Sequence, residues 1–431
     1  MDLRSFKTSY HHGIEKGIPR YCRFTAGWPV VPTIVISVLM IFFIFSYTIM
    51  SNFFLKTAAL NMEEESEGFR RQKIEWKMKS VLPVFPLQST QEEVDNVNQS
   101  SLIPPVNVSR VERIEWFKSK LPEFEIFRSD NLTERFHGRV LEFLNQKCEV
   151  QFFMTWIAPA KSFQRKEMSA VESVFKAHPD GCLVILSRTM DTEIGYRKLK
   201  PLLDGGFKVL TVAPDLSFLF KNTPVEAWFD EMKKGKKDPG KIPLAQNLSN
   251  LIRLAVLYKY GGIYIDTDFI VLKSFKGLKN SIGAQSMDMM SENWKTLNNA
   301  VLVFDMNHPL LFKFIEDFAL NFNGNKWGYN GPYLVSRVVK RVEGIPGYNF
   351  TILPPMAFYP VDWDNIGGLF KRQKSPVVSG DVEDTLLQPS EKSYGVHLWN
   401  KRSSRLAVEE GSVMERLILN HCVICQGIYS S

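Results

Sequence analysis

The hydrophobic pattern of the chain changes character twice. From Phe24 to Leu55 no residue is charged, and Thr33 to Met50 is a continuous, mainly apolar run. A bilayer-spanning helix needs about 20 such residues. Pro29 and Pro32 stand at its expected start, where proline is tolerated. Residues 24–55 therefore read as one transmembrane helix. Residues 56–145 are polar and acidic, with Pro-containing stretches such as Leu102-Ile103-Pro104-Pro105 and no sustained apolar period; they read as a partly disordered stem. From about Cys148 apolar runs of strand length alternate with helical periods. Glu149–Trp156, Cys182–Ser187 and Gly206–Val212 read as strands. Arg165–His178 reads as a helix with Met168, Val171, Val174 and Phe175 on one face. Such alternation predicts an α/β domain over 146–431 with a largely parallel sheet, whose ligands bind beyond the C-terminal strand ends.

The flanks of the apolar run set its orientation. Arg4, Lys7, Lys16, Arg20 and Arg23 precede it, and Lys56, Glu63, Glu64, Glu65 and Glu67 follow. Basic flanks stay cytoplasmic, so residues 1–23 read as a cytoplasmic tail and the rest of the chain as lumenal. A cleaved signal peptide is the competing reading, but its apolar core is shorter and ends in small residues. Here Phe53-Phe54-Leu55-Lys56 is a poor cleavage site and Thr57-Ala58-Ala59 a weak one. A short span suits the thinner membranes of the early secretory route, and a Golgi location is expected. Sequons at Asn98, Asn107, Asn131, Asn247 and Asn349 agree with a lumenal glycoprotein. So do Cys148, Cys182, Cys422 and Cys425, an even set on the lumenal side. Four cysteines allow three pairings; Cys422-Val423-Ile424-Cys425, with no second such motif, reads as a structural disulfide.

The net charge of +7 invites a nucleic-acid reading. The basic residues are scattered, however, and the densest group, Lys233-Lys234-Gly235-Lys236-Lys237, reads as a solvated loop. No nucleic-acid partner is expected.

Chemistry concentrates at residues 248–268. Leu251, Leu254, Ala255 and Tyr258 recur at helical spacing, and Gly261-Gly262 supplies the C-terminal stop. Ile263-Tyr264-Ile265 reads as a short strand. Asp266-Thr267-Asp268 then falls at a strand end, where residues two apart can address one region. Two hard oxygen donors suit Mn²⁺ or Mg²⁺ beside substrate phosphates, and such an ion would neutralise a diphosphate leaving group. A bare D-x-D is a weak signal; the capped helix, Gly-Gly break and apolar strand before it make one coherent device.

These residues resemble the glycosyltransferase sugar-binding region that contains the DXD motif. The resemblance runs from about Phe152 to Asn400. It includes Ala170–Pro179, Asp266–Asp268, Asn330-Gly331-Pro332-Tyr333-Leu334-Val335-Ser336-Arg337, Ala357-Phe358-Tyr359-Pro360 and Val396-His397-Leu398-Trp399-Asn400. The family is that of the α-1,4-glycosyltransferases (lactosylceramide 4-α-galactosyltransferase and α-1,4-N-acetylglucosaminyltransferase types), and the chain is similar to its plant-type branch. The resemblance implies a GT-A fold, Mn²⁺ dependence, a nucleotide-sugar donor, a glycan or glycolipid acceptor, and retention of anomeric configuration. It further implies that Asp268 ligates the metal, that Asp266 contacts the ribose or the metal shell, and that Tyr264 lies near the nucleotide. Arg253 would reach the donor sugar or phosphate from the helix face. His397 or Asn400 would complete the metal–diphosphate site, and Asn330 with Gly331 would lie at the acceptor or reacting centre. The wider family often has Asp at the position of Asn250; an amide still bonds sugar hydroxyls but carries no charge, so donor identity stays open among UDP-galactose, UDP-N-acetylglucosamine and GDP-mannose, with UDP-sugars favoured by resemblance.

Two other functions compete. A catalytically silent sugar-binding or scaffold protein would tolerate loss of an aspartate, but both are present. A glycoside hydrolase needs a second, paired acid, and none stands out. Asn247, at the head of the motif helix, is expected to be unglycosylated.

Overall fold

The computed structural model describes residues 102–288, 290–291, 293–372, 386 and 392–425. The expected tail, the expected span at 24–55 and the Asn98 sequon lie outside them. Among the described residues no helix is long and apolar enough to cross a membrane.

Ordered structure begins upstream of residue 146, where the sequence reading set the boundary of the folded domain. Helix α1 (Arg110–Lys120) opens with a reciprocal capping box between Ser109 and Glu112. Helix α2 (Phe136–Leu144) presents Phe136, Val140 and Phe143 on one face. Together with Phe117 of α1 these side chains enter the main apolar core. Arg113 makes a bidentate bridge to Asp238 at 2.7 and 2.6 Å, and Arg139 makes another to Asp191 at 2.6 and 2.8 Å. Residues 110–144 therefore pack against the folded unit.

The central sheet has seven strands in the order β3-β2-β1-β4-β7-β6-β8. Strands β1 (Gln151–Thr155), β2 (Cys182–Leu186), β3 (Lys208–Val212) and β4 (Gly262–Ile265) are mutually parallel. Helices α3 (Arg165–Ala177) and α4 (Glu193–Asp204) connect the first three; after β3, α5 (Glu226–Lys233) and α6 (Leu244–Tyr260) lead to β4. Beyond β4 the sheet changes sense. Strand β7 (Trp294–Phe304) pairs antiparallel with both β4 and β6 (Ser281–Met287), and β8 (Thr351–Leu353) lies parallel to β6. The sheet is thus mixed, not largely parallel as its first half suggests. The pairing that decides this lies after Asp268, past the last strand legible from the α/β alternation.

Both faces of the parallel half are covered, which is why its strands read as unbroken apolar runs. Phe152, Met154, Leu183, Ile185, Ile263 and Ile265 point to one side, against α3 and the C-terminal helix α9 (Val413–His421). Phe153, Val184, Leu186 and Tyr264 point to the other, against α6 and helices α7 (Pro309–Asn321) and α8 (Pro332–Val342). Disulfides Cys148–Cys182 and Cys422–Cys425 tie the exit of α2 to β2 and close the turn after α9.

Two local features set the position of the D-x-D segment. Gly261 ends α6 with φ of 65° and Gly262 opens β4 with φ of 101°. A Cβ on Gly262 would lie 2.7 Å from the Gln151 carbonyl oxygen of the neighbouring strand, so only glycine allows this direct passage from helix to strand. Strand β5 (Phe269–Val271) then leaves the main sheet and pairs antiparallel with β9 (Gly395–His397), setting Phe269 opposite His397.

Candidate active site

Asp266, Thr267 and Asp268 form the turn between β4 and β5, at the C-terminal end of the parallel strands. The β5–β9 pairing brings His397 to them from late in the chain. His397 Nε2 lies 3.2 Å from Asp268 Oδ1, and the backbone N–H of Asn400 donates to Asp268 Oδ2 at 2.7 Å across 132 positions of sequence. Trp399 sits between them with φ of 53°. Its indole N–H donates to the Val361 carbonyl at 2.9 Å, and its ring packs 4.5 Å from His397 and 5.7 Å from Tyr359. These contacts hold a backbone conformation that a bulky residue rarely adopts and so aim the Asn400 N–H at the carboxylate.

Asp266 is held from the other side. Arg253, on α6 and 3% exposed, sends Nη2 to Asp266 Oδ1 at 3.0 Å and Nη1 to Oδ2 at 3.1 Å. The same guanidinium donates to the Asn299 carbonyl at 2.8 Å and to Ser249 Oγ at 3.1 Å, and lies 4.6 Å over the Tyr264 ring. The Tyr264 hydroxyl donates to Asp266 Oδ1 at 3.0 Å. Arg253, which the sequence reading aimed at the donor, thus has its hydrogen bonds directed within the protein. The side chain of Asp266 keeps 24% exposure, against 9% for Asp268.

The electrostatics follow from this seating. Burial pushes the Asp266 carboxyl up, Arg253 opposes it and the charge of Asp268 adds to the rise, so the net shift is upward. Burial also disfavours the Asp268 carboxylate, but His397 outweighs it and the net shift is downward. For His397 burial opposes the charged ring, and Asp268 outweighs burial to raise its pKa.

Donor atoms of Asp266, Asp268 and His397 lie within 4.8 Å of one another. Two carboxylates and an imidazole form a hard, mixed O/N donor set that fits Mn²⁺ or Mg²⁺ and not a thiophilic ion. His397 Nδ1 is buried and has no hydrogen-bond partner among the described residues.

Beside these groups runs a buried chain of amides. Asn250 Oδ1 accepts from Asn299 Nδ2 at 2.9 Å. Asn330, 1% exposed, donates to Asn247 Oδ1 at 2.8 Å and to the Asn323 carbonyl at 3.0 Å. Gly331 packs against Asn250 so closely that a Cβ there would meet Asn250 Oδ1 at 2.6 Å. Asn250, Asn330 and Gly331 are therefore brought together beside Arg253 through Asn299. The sequence reading missed Asn299. Its signal was present: two amides, Asn298-Asn299, interrupt the apolar run of β7, where polar groups need partners.

Asn247 is 4% exposed, whereas Asn107, Asn131 and Asn349 are exposed. In secreted expression, peptide mapping after glycosidase treatment in ¹⁸O water is expected to label these exposed sites and leave Asn247 unlabelled. A glycan on Asn247 would contradict the amide chain.

Residues 164–288 match the glycosyltransferase sugar-binding region containing the DXD motif, and residues 303–429 match the α-1,4-glycosyltransferase conserved region. Lactosylceramide 4-α-galactosyltransferase of Mus musculus is 36% identical over 267 residues, covering 59% of this chain and 69% of that protein. An uncharacterized protein of Arabidopsis thaliana is 29% identical over 297 residues, 66% of this chain and 44% of its own length. Human α-1,4-N-acetylglucosaminyltransferase is 27% identical over 271 residues, 59% of this chain and 73% of its own. Among solved structures, the PaToxG glycosyltransferase aligns with 55% of this chain and 81% of itself at 20% identity; its TM-score of 0.33 leaves the fold to be judged from the strand order itself. On the two matched regions and the identity to the mouse protein, the chain belongs to the DXD-containing α-1,4-glycosyltransferase family, and it is a glycosyltransferase.

Proposed function

We propose that this chain is a single-pass, type II Golgi-membrane enzyme. It transfers a hexose or N-acetylhexosamine from a UDP-sugar to a hydroxyl of a glycan or glycolipid, with retention, forming an α-1,4 linkage. One observation carries the reading: Asp266, Asp268 and His397 converge within 4.8 Å at the C-terminal end of the parallel strands, where α/β sheets bind nucleotides. A parallel half ending in carboxylates, continued by a half of mixed sense around the antiparallel β7, supports a GT-A arrangement with the nucleotide on the first half and the acceptor on the second. The names of the mouse and human relatives favour galactose or N-acetylglucosamine as the transferred sugar. The apolar run at 33–50, its basic flank and the sequons support the membrane and lumenal placement.

Asp266, Asp268 and His397 would hold Mn²⁺ or Mg²⁺, which when bound supplies positive charge for a departing diphosphate. The protein's own groups prepare this site before substrate arrives. Arg253 and Tyr264 fix Asp266, and the Asn400 N–H fixes Asp268, so little reorganisation is left to the reaction. The buried amides Asn247, Asn250, Asn299 and Asn330 form a polar wall suited to sugar hydroxyls. Asn247 Nδ2 is buried with no partner among the described residues.

The test is product analysis. Full-length chain in detergent with Mn²⁺ would be given methyl β-lactoside and, separately, UDP-galactose, UDP-N-acetylglucosamine and GDP-mannose. The expected result is an α-anomeric trisaccharide from one UDP-sugar, identified by NMR. A β-linked product, or transfer from GDP-mannose alone, would overturn the donor or stereochemical assignment.

A further inference from the structure

The segment between α7 and α8 crosses from one flank of the aspartates to the other. At one end Asn330 and Gly331 sit against Asn247 and Asn250 of α6. Farther along, the Trp327 ring receives the Lys401 ammonium 3.9 Å from its centroid. Lys401 follows Asn400, whose backbone holds Asp268. The same ammonium lies 5.8 Å from the Trp363 ring, and Arg402 lies 4.8 Å over Trp363. Contacts therefore close a ring around the carboxylates: Asp268 to Asn400 and Lys401, across to Trp327, back through Gly331 to Asn250, and through Asn299 and Arg253 to Asp266.

The Trp327 end of this crossing is well anchored yet open to solvent. Arg337 donates to the Tyr329 carbonyl at 2.7 Å and stacks 4.4 Å over the Tyr329 ring, while Asn330 is buried. Trp327 nevertheless keeps 40% of its surface exposed and neighbouring Tyr333 keeps 48%. Exposed aromatics on a fixed support suit an amphipathic ligand with an apolar face. A pyranose has such a face, and a lysine already seated on the indole offers donors for its hydroxyls. Trp327 also arrives from the antiparallel side of the sheet, through β7 and α7, and not from the parallel strands that the nucleotide would occupy.

Resting on the glycosyltransferase reading above, we infer that Trp327, braced by Lys401, is the stacking platform for a pyranose of the acceptor and sets acceptor affinity without contributing to nucleotide binding.

The experiment compares wild type, Trp327→Ala, Trp327→Phe and, as control, Leu320→Ala at an exposed position on α7. For each full-length protein, KM and kcat would be measured with methyl β-lactoside and with methyl β-glucuronide as acceptor probes, and the affinity for UDP with Mn²⁺ by calorimetry. The expected result is a tenfold or greater rise in lactoside KM for Trp327→Ala, a smaller rise for Trp327→Phe, and UDP affinity within twofold of wild type. Leu320→Ala should match wild type. An unchanged KM in Trp327→Ala for whichever probe the wild type uses, or a parallel loss of UDP affinity, would each overturn the platform. So would wild-type protein that binds UDP with Mn²⁺ yet uses neither probe. Absence of UDP binding by wild type would instead remove the glycosyltransferase site on which the inference stands.

Discussion

Asp268→Ala in the full-length chain is expected to lower sugar transfer by roughly a thousandfold or more, the rate equivalent of losing several kcal/mol of charge stabilisation. Asp268 meets both halves of the site. One oxygen faces His397 and the other accepts the Asn400 N–H. Truncation thus removes a donor from the cluster and leaves a backbone N–H without its partner. Asp268→Asn separates these effects. The amide oxygen can still accept from Asn400, so the protein should keep a near-wild-type melting temperature, yet the negative charge is gone and transfer should fall almost as far as in the alanine variant. Transfer rates and thermal melts of the two variants read this out. An asparagine variant that kept more than a tenth of wild-type transfer would remove Asp268 from the reacting site.

Arg253→Ala carries the largest expected cost in stability. The guanidinium is 3% exposed and donates to Asp266, Ser249 and the Asn299 carbonyl. Removing one member of a buried, hydrogen-bonded ion pair costs about 3–5 kcal/mol, because the remaining charge stays buried without compensation. The partial exposure of Asp266 places the expectation at the lower end of that range. Arg253→Lys should recover little, since an ammonium cannot reproduce the planar fork that meets both Asp266 oxygens. Urea unfolding midpoints measure this. A shift below about 1 kcal/mol, the value of an exposed pair, would mean that Arg253 does not brace Asp266.

Much of this arrangement is legible in the sequence, and the legible parts share a physical reason. The strands around Phe152–Met154 and Cys182–Leu186 are buried on both faces and so appear as uninterrupted apolar runs. Gly261 and Gly262 announce themselves because no other residue allows the passage from α6 to β4. The residues that escaped are those whose roles come from distant pairing. The mixed character of the sheet depends on β7 lying against β4, and His397 reaches Asp268 only because β5 pairs with β9. Neither pairing leaves a local period. His397 is marked as a candidate only by the family resemblance, since its apolar neighbours alone mark a core histidine. Residues 110–144 looked like a stem because two short 3₁₀ turns, Leu121–Glu123 and Glu125–Phe127, break the spacing of Phe117, Phe124 and Phe127. Within that stretch Phe136, Val140 and Phe143 do keep helical spacing, a signal diluted by the polar residues around it. Arg253 stands out on the motif helix, but its pairing with Asp266 depends on a strand that follows the helix, which periodicity does not report.

The most direct measurement is calorimetric binding of UDP and GDP to the full-length chain in detergent, with and without Mn²⁺, beside the Asp268→Asn variant. UDP is expected to bind only when both Mn²⁺ and Asp268 are present, with GDP at least tenfold weaker. A folded protein that bound neither nucleotide in a metal-dependent way would contradict the assignment of Asp266, Asp268 and His397 as a metal–nucleotide site.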